Sequence, residues 1–436
     1  MRPLGISEEP INTPLFGHRM KQGDQIYAVT FFFYCLFLLD FFLHLSSRIS
    51  GISVIRPTLL IVIVISILLL LQYNYLKKRN RGPLYSALFT LILYIILSLP
   101  FVEFPGSVIR ENFTNFVKAI VFFYFTAEIV GSSKRLKVTL FIFVSCQIFR
   151  VLEPLYLNLT QGYWGSSTYL DGDFANRLSG APHDVINPNE LGFVIVTLIP
   201  FLHFLVLPQG VWGKLVYALL VPILLYALVL TMSRGAFLAL LVIGWMIFKK
   251  SDKKFVLITI AFVCAIAGWG QMNNIQKDRY LSLVSDQTLN ARSVDGRING
   301  MLNEFRLGFN KPVFGHGLGT TPESKYHYFG KRQASHNMYA ELLIEIGLIG
   351  MILFLRFIYF LYKQIRILPL YASISEQELR IMNVVLAIFW MYVVYSINYW
   401  GLSQSYWYWL AGLTVALTRI IHLKERATSV TSEKKE

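Results

Sequence analysis

An arginine at a tight turn between two strongly apolar segments is the first residue with a chemical interpretation. Arg234 follows the run that ends at Met232-Ser233 and precedes Gly235-Ala236. The planar guanidinium of arginine matches phosphate oxygens, and a helix that begins here adds the positive end of its dipole. We therefore predict that Arg234 binds an anion at a membrane surface, where a lipid-linked phosphate is the natural ligand. A side chain that merely extends to the lipid headgroups is the structural alternative.

A second arginine, Arg297, stands in the longest polar segment of the sequence, within Asp295–Gly300. A helix is indicated there by apolar residues at helical spacing, namely Ile298, Met301, Leu302 and Phe305. The glycine-rich stretch Gly315–Gly319, which contains His316, follows and offers backbone amides to a phosphate, although it matches no phosphate-loop fingerprint. A solvated loop arginine is the alternative for Arg297.

A histidine, His336, directly precedes another long apolar run. Asn337 or the serine before His336 is positioned to cap the helix that this run predicts, and Tyr339 follows at near-helical spacing. Glu345 lies roughly 13 Å into that helix at about 1.5 Å per residue. A carboxylate so deep in a membrane is a functional candidate, with a structural carboxylate paired inside the bundle as the alternative. Glu341 shares its face, and both interpretations stay open for it as well.

A further polar segment precedes the middle of the chain and contains Arg177 and Asn189. The order Asn187-Pro188-Asn189-Glu190 is typical of a capped helix start. Asp171-Gly172-Asp173 is better interpreted as a turn than as a divalent metal site, so no metal is predicted. Inside the apolar runs, Arg150 and Glu153 are three residues apart and are expected to pair with each other.

Long apolar blocks identify the chain as an all-α integral membrane protein. They reach the roughly 20 residues that a span requires, and they lack the alternation of barrel strands. About twelve spans are predicted, at 26–45, 57–75, 84–102, 113–130, 138–158, 189–207, 215–232, 235–248, 254–271, 337–360, 380–400 and 405–421.

The net charge of +15 is distributed over short segments between the spans. Basic clusters follow spans two, four and eight, at Lys77–Arg81, Lys134–Lys137 and Lys249–Lys254. With twelve spans these clusters share one side with both termini, which is the positive-inside pattern of cytoplasmic loops. The distribution gives no support to nucleic acid as a partner.

This topology predicts five regions along the chain. They are a cytoplasmic N-terminal tail at 1–25, transmembrane helices one to nine over 26–271, a large loop subdomain on the opposite side at 272–336, helices ten to twelve over 337–421 and a cytoplasmic C-terminal tail at 422–436. Arg234, Arg297 and His336 all fall on the side away from the cytoplasm. The large loop is then interpreted as a lid over a phosphate-binding site at the membrane surface.

Taken in order, these motifs resemble the O-antigen ligase and polymerase superfamily of bacterial envelope glycosyltransferases. The matching residues are Ser233-Arg234-Gly235, Gly296-Arg297, Pro312, Gly315–Gly319, His336-Asn337, Tyr339, Glu345, Gly347 and Gly350, preceded by Arg177, Gly180, Asn187 and Asn189. The motifs cover about 40% of the chain, from Arg177 to span ten. One departure is the absence of a tryptophan shortly after Arg297, which bears on packing more than on chemistry.

The resemblance implies a multi-pass GT-C glycosyltransferase of the bacterial inner membrane with a periplasmic active site. It implies en bloc transfer of a glycan from undecaprenyl diphosphate to a sugar hydroxyl, with inversion and without metal or cofactor. The acceptor is lipid A core for a ligase and a lipid-linked repeat unit for a polymerase. Besides these glycans, membrane lipids are the expected partners.

The resemblance also suggests roles for the candidate residues. Arg234 and Arg297 would stabilise the charge that grows on the diphosphate, and His336 would accept the proton of the acceptor hydroxyl, because imidazole titrates near neutral pH. Supporting roles in binding the diphosphate or the glycan are implied for Arg177, Asn189, Asn337, Tyr339, Glu345 and His316.

A flippase for lipid-linked oligosaccharide, or another polytopic transporter, is the alternative function. Such proteins also use many spans and basic residues, but many of them show repeated halves. This sequence shows no repeat, and its polar candidates lie on one side. A non-enzymatic scaffold for envelope assembly has no positive feature in the sequence, and the motifs do not separate a ligase from a polymerase.

Overall fold

A computed structural model describes residues 26–49, 51, 55–77, 79, 81–170, 173–272, 274–281, 291–371, 374–399 and 401–433. This part of the chain is mostly helical and contains a short antiparallel hairpin. The first helices are α1 (Ala28–Leu43), α2 (Leu45–Arg48), α3 (Pro57–Leu71), α4 (Tyr73–Leu76), α5 (Pro83–Ser98), α6 (Pro105–Ser107), α7 (Phe113–Ile129) and α8 (Ser133–Gln161). The hairpin consists of β1 (Gly165–Leu170) and β2 (Asp173–Leu178).

The second half of the structure continues with ten helices in the described residues. They are α9 (Pro188–Phe201), α10 (Gly210–Thr231), α11 (Arg234–Lys250), α12 (Lys254–Gln271), α13 (Asn274–Leu281), α14 (Ala291–Gly308), α15 (Thr321–Phe329), α16 (Met338–Ile367), α17 (Glu376–Tyr395) and α18 (Ser405–Glu433). Short π-helical turns occupy Val108–Asn112 and Leu202–Val206, and 3-10 turns occupy Leu99–Phe101 and Leu368–Leu370.

Each predicted span coincides with a helix, and the all-α membrane fold is confirmed. Within the described residues, six segments are long and apolar enough to cross a membrane: Pro83–Phe101, Ser133–Gln161, Pro188–Val206, Gly210–Thr231, Met338–Leu370 and Glu376–Tyr395. The helices α1, α3 and α12 are shorter apolar segments. The chain is thus a multi-pass membrane protein, while the number of twelve crossings stays a prediction.

Helix caps fix where the chain enters two of these segments. Asn187 accepts hydrogen bonds from the amides of Asn189 and Glu190, and the Glu190 carboxylate returns to the amide of Asn187, which completes a capping box. Asn337 accepts from the amide of Ala340 at the start of α16. Both predicted caps are confirmed, and each satisfies amide groups that the first helical turn leaves without partners.

The hairpin is the main departure from the predicted all-helical fold. Leu170 pairs with Asp173 at the end of the register, and the predicted turn at Asp171-Gly172 lies outside the described residues. An Asp-Gly pair favours a two-residue hairpin connection. The hairpin sets Arg177, in β2, opposite Ser166.

The predicted pairing of Arg150 with Glu153 is wrong. Arg150 instead donates to both carboxylate oxygens of Asp184, at 2.6 and 2.9 Å, and Glu153 receives Arg48 at 2.5 and 2.6 Å. Both ion pairs join elements distant in sequence, and the buried Arg150–Asp184 pair has the two-bond geometry that a buried charge needs. One pair joins α8 to the segment before α9, and the other joins α8 to α2. The end of the bundle where both pairs lie also contains the hairpin and residues 231–234, and we call it the loop end.

Candidate functional site

Arg234 lies at the first position of α11, directly after the turn that leaves α10. Ser233 caps the helix by accepting a hydrogen bond from the amide of Ala236 at 3.3 Å, and Met232 has a left-handed conformation with φ 50°. Arg234 is only 4% exposed, so it does not extend freely outward, as the headgroup interpretation requires. It stands where the dipole of α11 is most positive.

Two further arginines hold the same turn. Arg177 from β2 donates through Nε to the carbonyl of Thr231 at 2.9 Å. Arg279 from α13 donates through Nε to the carbonyl of Met232 at 2.8 Å. Both are buried. We call Thr231–Arg234 with these two arginines the arginine turn; three buried cationic residues give it a positive potential that favours a multiply charged anion.

Arg279 is a member of this cluster that the sequence did not reveal. It follows Lys277 and Asp278, and a charged stretch of this kind is usually solvated. Its neighbour Tyr280 packs on Phe237 of α11, with ring centroids 5.5 Å apart. Burial raises the pKa of Tyr280 to about 12, although the nearby arginines lower it. The phenol therefore stays neutral at physiological pH, and α13 is docked on the start of α11.

Asn189 connects the arginine turn to the end of α17. Its Oδ1 accepts a hydrogen bond from Nη2 of Arg177 at 3.0 Å, and its carbonyl accepts one from the hydroxyl of Tyr395 at 2.8 Å. The structure thus brings together two residues, Arg177 and Asn189, that the sequence predicted separately. Asn189 therefore positions the guanidinium of Arg177, which is bonded to the carbonyl of Thr231 just before Arg234.

His336 lies in the short connection before α16, residues 333–337, which we call the histidine loop. The residue is exposed, and its Nε2 lies 2.7 Å from Nε2 of Gln333. If the amide of Gln333 donates, Nε2 is the unprotonated nitrogen of the neutral ring. The ring is exposed, so a substrate hydroxyl can reach Nε2 by taking the place of the Gln333 amide.

The buried carboxylate of Glu304, in α14, is hydrogen-bonded to the histidine loop. It accepts hydrogen bonds from Nζ of Lys325 at 2.8 Å, from the Ser335 hydroxyl at 2.7 Å and from the amide of His336 at 3.4 Å. Glu304 is 2% exposed. No sequence pattern indicates this role, because the three donors lie 21 to 32 residues away from Glu304 along the chain.

We expect Glu304→Ala to lower both stability and transfer. Removal of the carboxylate leaves the buried ammonium of Lys325 without its partner, which costs about 3–5 kcal/mol, and releases the backbone of the histidine loop. The melting temperature in detergent and the transfer rate are the measurements. Glu323→Ala, on the neighbouring α15, is the matched control. An unchanged melting temperature for Glu304→Ala would contradict this assignment.

The histidine loop and the residue after the arginine turn both pack on one segment, residues 395–399, at the end of α17. Asn337 donates through Nδ2 to the carbonyl of Ile397 at 3.0 Å. A Cβ built on Gly235, which follows Arg234, would lie 3.6 Å from the ring of Tyr395. The structure therefore brings the starts of α11 and α16 to one small region, as a shared site requires.

Arg297 lies in α14, seven residues before Glu304. The predicted helix is confirmed and begins earlier, at Ala291. The side chain of Arg297 lies outside the described part of the structure, so its role stays a prediction. Two helical turns separate it along α14 from the carboxylate that contacts the histidine loop.

The glycine-rich stretch packs against a break in α16. Gly347 has φ 65° and ψ −173°, a conformation essentially confined to glycine, and a Cβ there would lie 2.4 Å from the carbonyl oxygen of Val313. The break exposes two carbonyls of α16. His316 donates its amide to Ile344 at 2.7 Å, and Gly317 donates to Glu345 at 3.0 Å.

Glu345 completes this junction through its side chain. Its carboxylate accepts from the amide of Gly319 and from the hydroxyl of Thr321, both at 2.8 Å, and the residue is buried. Glu345 is therefore a structural carboxylate with partners inside the bundle, which is the alternative given above for this residue. The expected phosphate cradle is wrong, because the amides of His316, Gly317 and Gly319 are already bonded within the protein.

The remaining supporting candidates are also engaged inside the fold. His316 is fully buried, with Nδ1 against the carboxylate of Glu103 and Nε2 3.1 Å from the carbonyl of Leu307. Tyr339 donates its hydroxyl to the carbonyl of Val393 at 3.0 Å. With Asn337 these residues shape the surroundings of the histidine loop.

Residues 219–355 match the family described as O-antigen ligase. This part of the chain is similar to the O-antigen ligase family. A comparison with curated proteins found no match. The matched region contains Thr231–Arg234 and Arg279 of the arginine turn, α14 and the histidine loop, and it ends within α16.

The O-antigen ligase region confirms the resemblance drawn from the motifs and supports a membrane glycosyltransferase of the ligase or polymerase kind. Arg177 and Asn189 precede this region, yet Arg177 donates into it at Thr231. The 395–399 segment follows the region and joins its two ends. The site is thus completed by elements from both flanks of the family region.

Proposed function

We propose that this protein transfers a glycan en bloc from undecaprenyl diphosphate to an acceptor sugar hydroxyl. The reaction takes place at the loop end, on the periplasmic face of the bacterial inner membrane. The observation that supports this most directly is that the starts of α11 and α16, which carry Arg234 and the histidine loop, both pack on the 395–399 segment. One group of residues suits the diphosphate, and the other suits the acceptor.

The proposed reaction is a single displacement at the anomeric carbon. The acceptor oxygen forms a bond to that carbon while the bond to the diphosphate oxygen breaks, and the electron pair leaves with the diphosphate. Because the acceptor approaches opposite to the leaving group, the anomeric centre inverts. Negative charge grows on the leaving oxygen, and Arg234 stabilises it at the positive end of α11.

His336 takes the proton of the acceptor hydroxyl in this proposal. The imidazole is exposed, and an acceptor hydroxyl that arrives from outside the bundle takes the place of the Gln333 amide at Nε2. The proton then passes from the imidazolium to water, and undecaprenyl diphosphate leaves. Arg297 of α14 completes the diphosphate site, and the link from Glu304 to the histidine loop couples α14 to the base.

Reconstitution of the purified protein in liposomes tests the proposal. The donor is glycan on undecaprenyl diphosphate, offered either alone or with lipid A core. A ladder of products on the lipid carrier identifies a polymerase, and a single transfer to the core identifies a ligase. Movement of the labelled donor between leaflets without any transfer product would overturn the proposal and favour a flippase.

A further inference from the structure

A cavity of about 400 Å³ with both polar and apolar lining lies beside the histidine loop at the loop end. Its walls come from the starts of α7, α16 and α18, the first residues of α15 and the end of α1. Ser335, the residue before His336, belongs to the wall. The volume falls in the range of pockets that bind small ligands.

The wall of this cavity contains a buried carboxylate with an unused oxygen. Glu341 is 4% exposed, and its Oε2 accepts from the amides of Gly401 and Leu402 at 2.6 and 3.3 Å. Within the described part of the chain, no group donates to Oε1. A carboxylate oxygen accepts about two hydrogen bonds, so Oε1 offers this capacity to an occupant of the cavity.

Other side chains in the wall offer both donors and acceptors. Asn115 and Lys118 lie on one turn of α7, 3.4 Å apart from Oδ1 to Nζ, and Gln404 stands across the cavity before α18. Phe41 adds an apolar ring. A pyranose has the matching chemistry, since its hydroxyls donate and accept around the rim while its C–H face packs on apolar groups.

The charge of the wall separates a sugar from a phosphate. Glu341 and Glu345 both line the cavity, and the described lining contains no arginine that would bind a phosphate. The single ammonium of Lys118 lies at the exposed edge. The cavity therefore suits a neutral, hydroxyl-rich group, whereas the arginine turn suits the diphosphate.

We propose that this cavity binds one sugar residue of the glycan substrate, next to the histidine loop. That the sugar belongs to the glycan substrate rests on the proposed function. That the cavity suits a sugar rests on the side chains that line it. A sugar held here lies beside Ser335 and so within one residue of His336. Either the acceptor sugar or the sugar attached to the diphosphate can be the occupant, and the transfer experiment separates them.

Binding is measured first, without any transfer. Saturation-transfer NMR is recorded on the purified protein with the methyl glycosides of glucose, galactose, rhamnose and N-acetylglucosamine. We expect at least one glycoside to bind and the signal to fall about tenfold in both variants, because Glu341→Gln replaces an acceptor oxygen by an amide donor and Asn115→Leu removes a hydrogen-bonding group. Thr114→Leu, next to Asn115 but outside the cavity lining, is the matched control.

Failure to bind any of the four glycosides, or equal binding by both cavity variants and the wild type, would overturn the proposal. Asn115 is exposed at the cavity edge, so its variant reports on binding even if Glu341→Gln fails to fold.

The liposome assay then identifies the occupant. In Asn115→Leu, a KM raised about tenfold for the acceptor assigns the cavity to the acceptor sugar, and a KM raised for the donor assigns it to the donor sugar. No change in either KM would overturn the substrate role. Glycoside binding without any transfer by the wild type would instead overturn the proposed function and leave the sugar site standing.

Discussion

His336→Ala is expected to reduce glycan transfer about 10²- to 10⁴-fold, the range that a general base contributes. The imidazole is exposed in the histidine loop and bonded through Nε2 to Gln333, so its removal leaves the loop backbone in place. Because the arginine turn is separate, donor binding should stay close to that of the wild type. Transfer in liposomes and retention of labelled donor are the two measurements.

His327→Ala is the control for this experiment. His327 lies in α15, also exposed and close to the histidine loop in sequence, with its ring near Phe104. The proposed reaction gives it no part, and its variant should transfer at the wild-type rate. Wild-type activity of purified, correctly inserted His336→Ala would remove the base from the mechanism.

The second large effect is expected at the arginine turn. Arg234→Ala should lower kcat about 10²- to 10³-fold, which is the loss measured when one preorganised donor to a growing anion is removed. Arg234→Lys should recover part of the rate, because it restores the charge but not the planar fork that matches a phosphate. Steady-state transfer kinetics with the lipid-linked donor measure both variants.

Arg306→Ala supplies the matched control, since Arg306 is exposed on α14 and lies away from the arginine turn in sequence. Its loss should leave kcat unchanged. If Arg306→Ala and Arg234→Ala lowered transfer equally, the effect would come from the general loss of positive charge, and the specific role of Arg234 would be refuted.

The sequence predicted the features that depend on residues close together along the chain. The caps at Asn187 and Asn337 and the positions of the predicted spans follow from local signals, namely side chains that satisfy first-turn amides and apolar runs of sufficient length. Arg234 and His336 were found because each stands at the border of an apolar run, where a charged or polar residue is conspicuous.

Contacts between distant segments were not predictable in this way. Arg150 pairs with Asp184, 34 residues away, although Glu153 is closer along the chain. Arg279 and Glu304 belong to the site only because the fold brings α13 to the arginine turn and α14 to the histidine loop. No periodicity or spacing in the sequence indicates these contacts between distant segments, since they depend on how whole helices pack.

The break at Gly347 has a consequence for chimaeric proteins. Backbone hydrogen bonds join Leu348 to Pro312 at 2.7 Å and His316 to Ile344 at 2.7 Å, so the end of the large loop and the first third of α16 form one hydrogen-bonded unit. A graft that exchanges the loop between two relatives at residue 336 separates these partners. Junctions placed before Pro312 and after Leu348 keep them together, and they define the piece that can be transplanted intact.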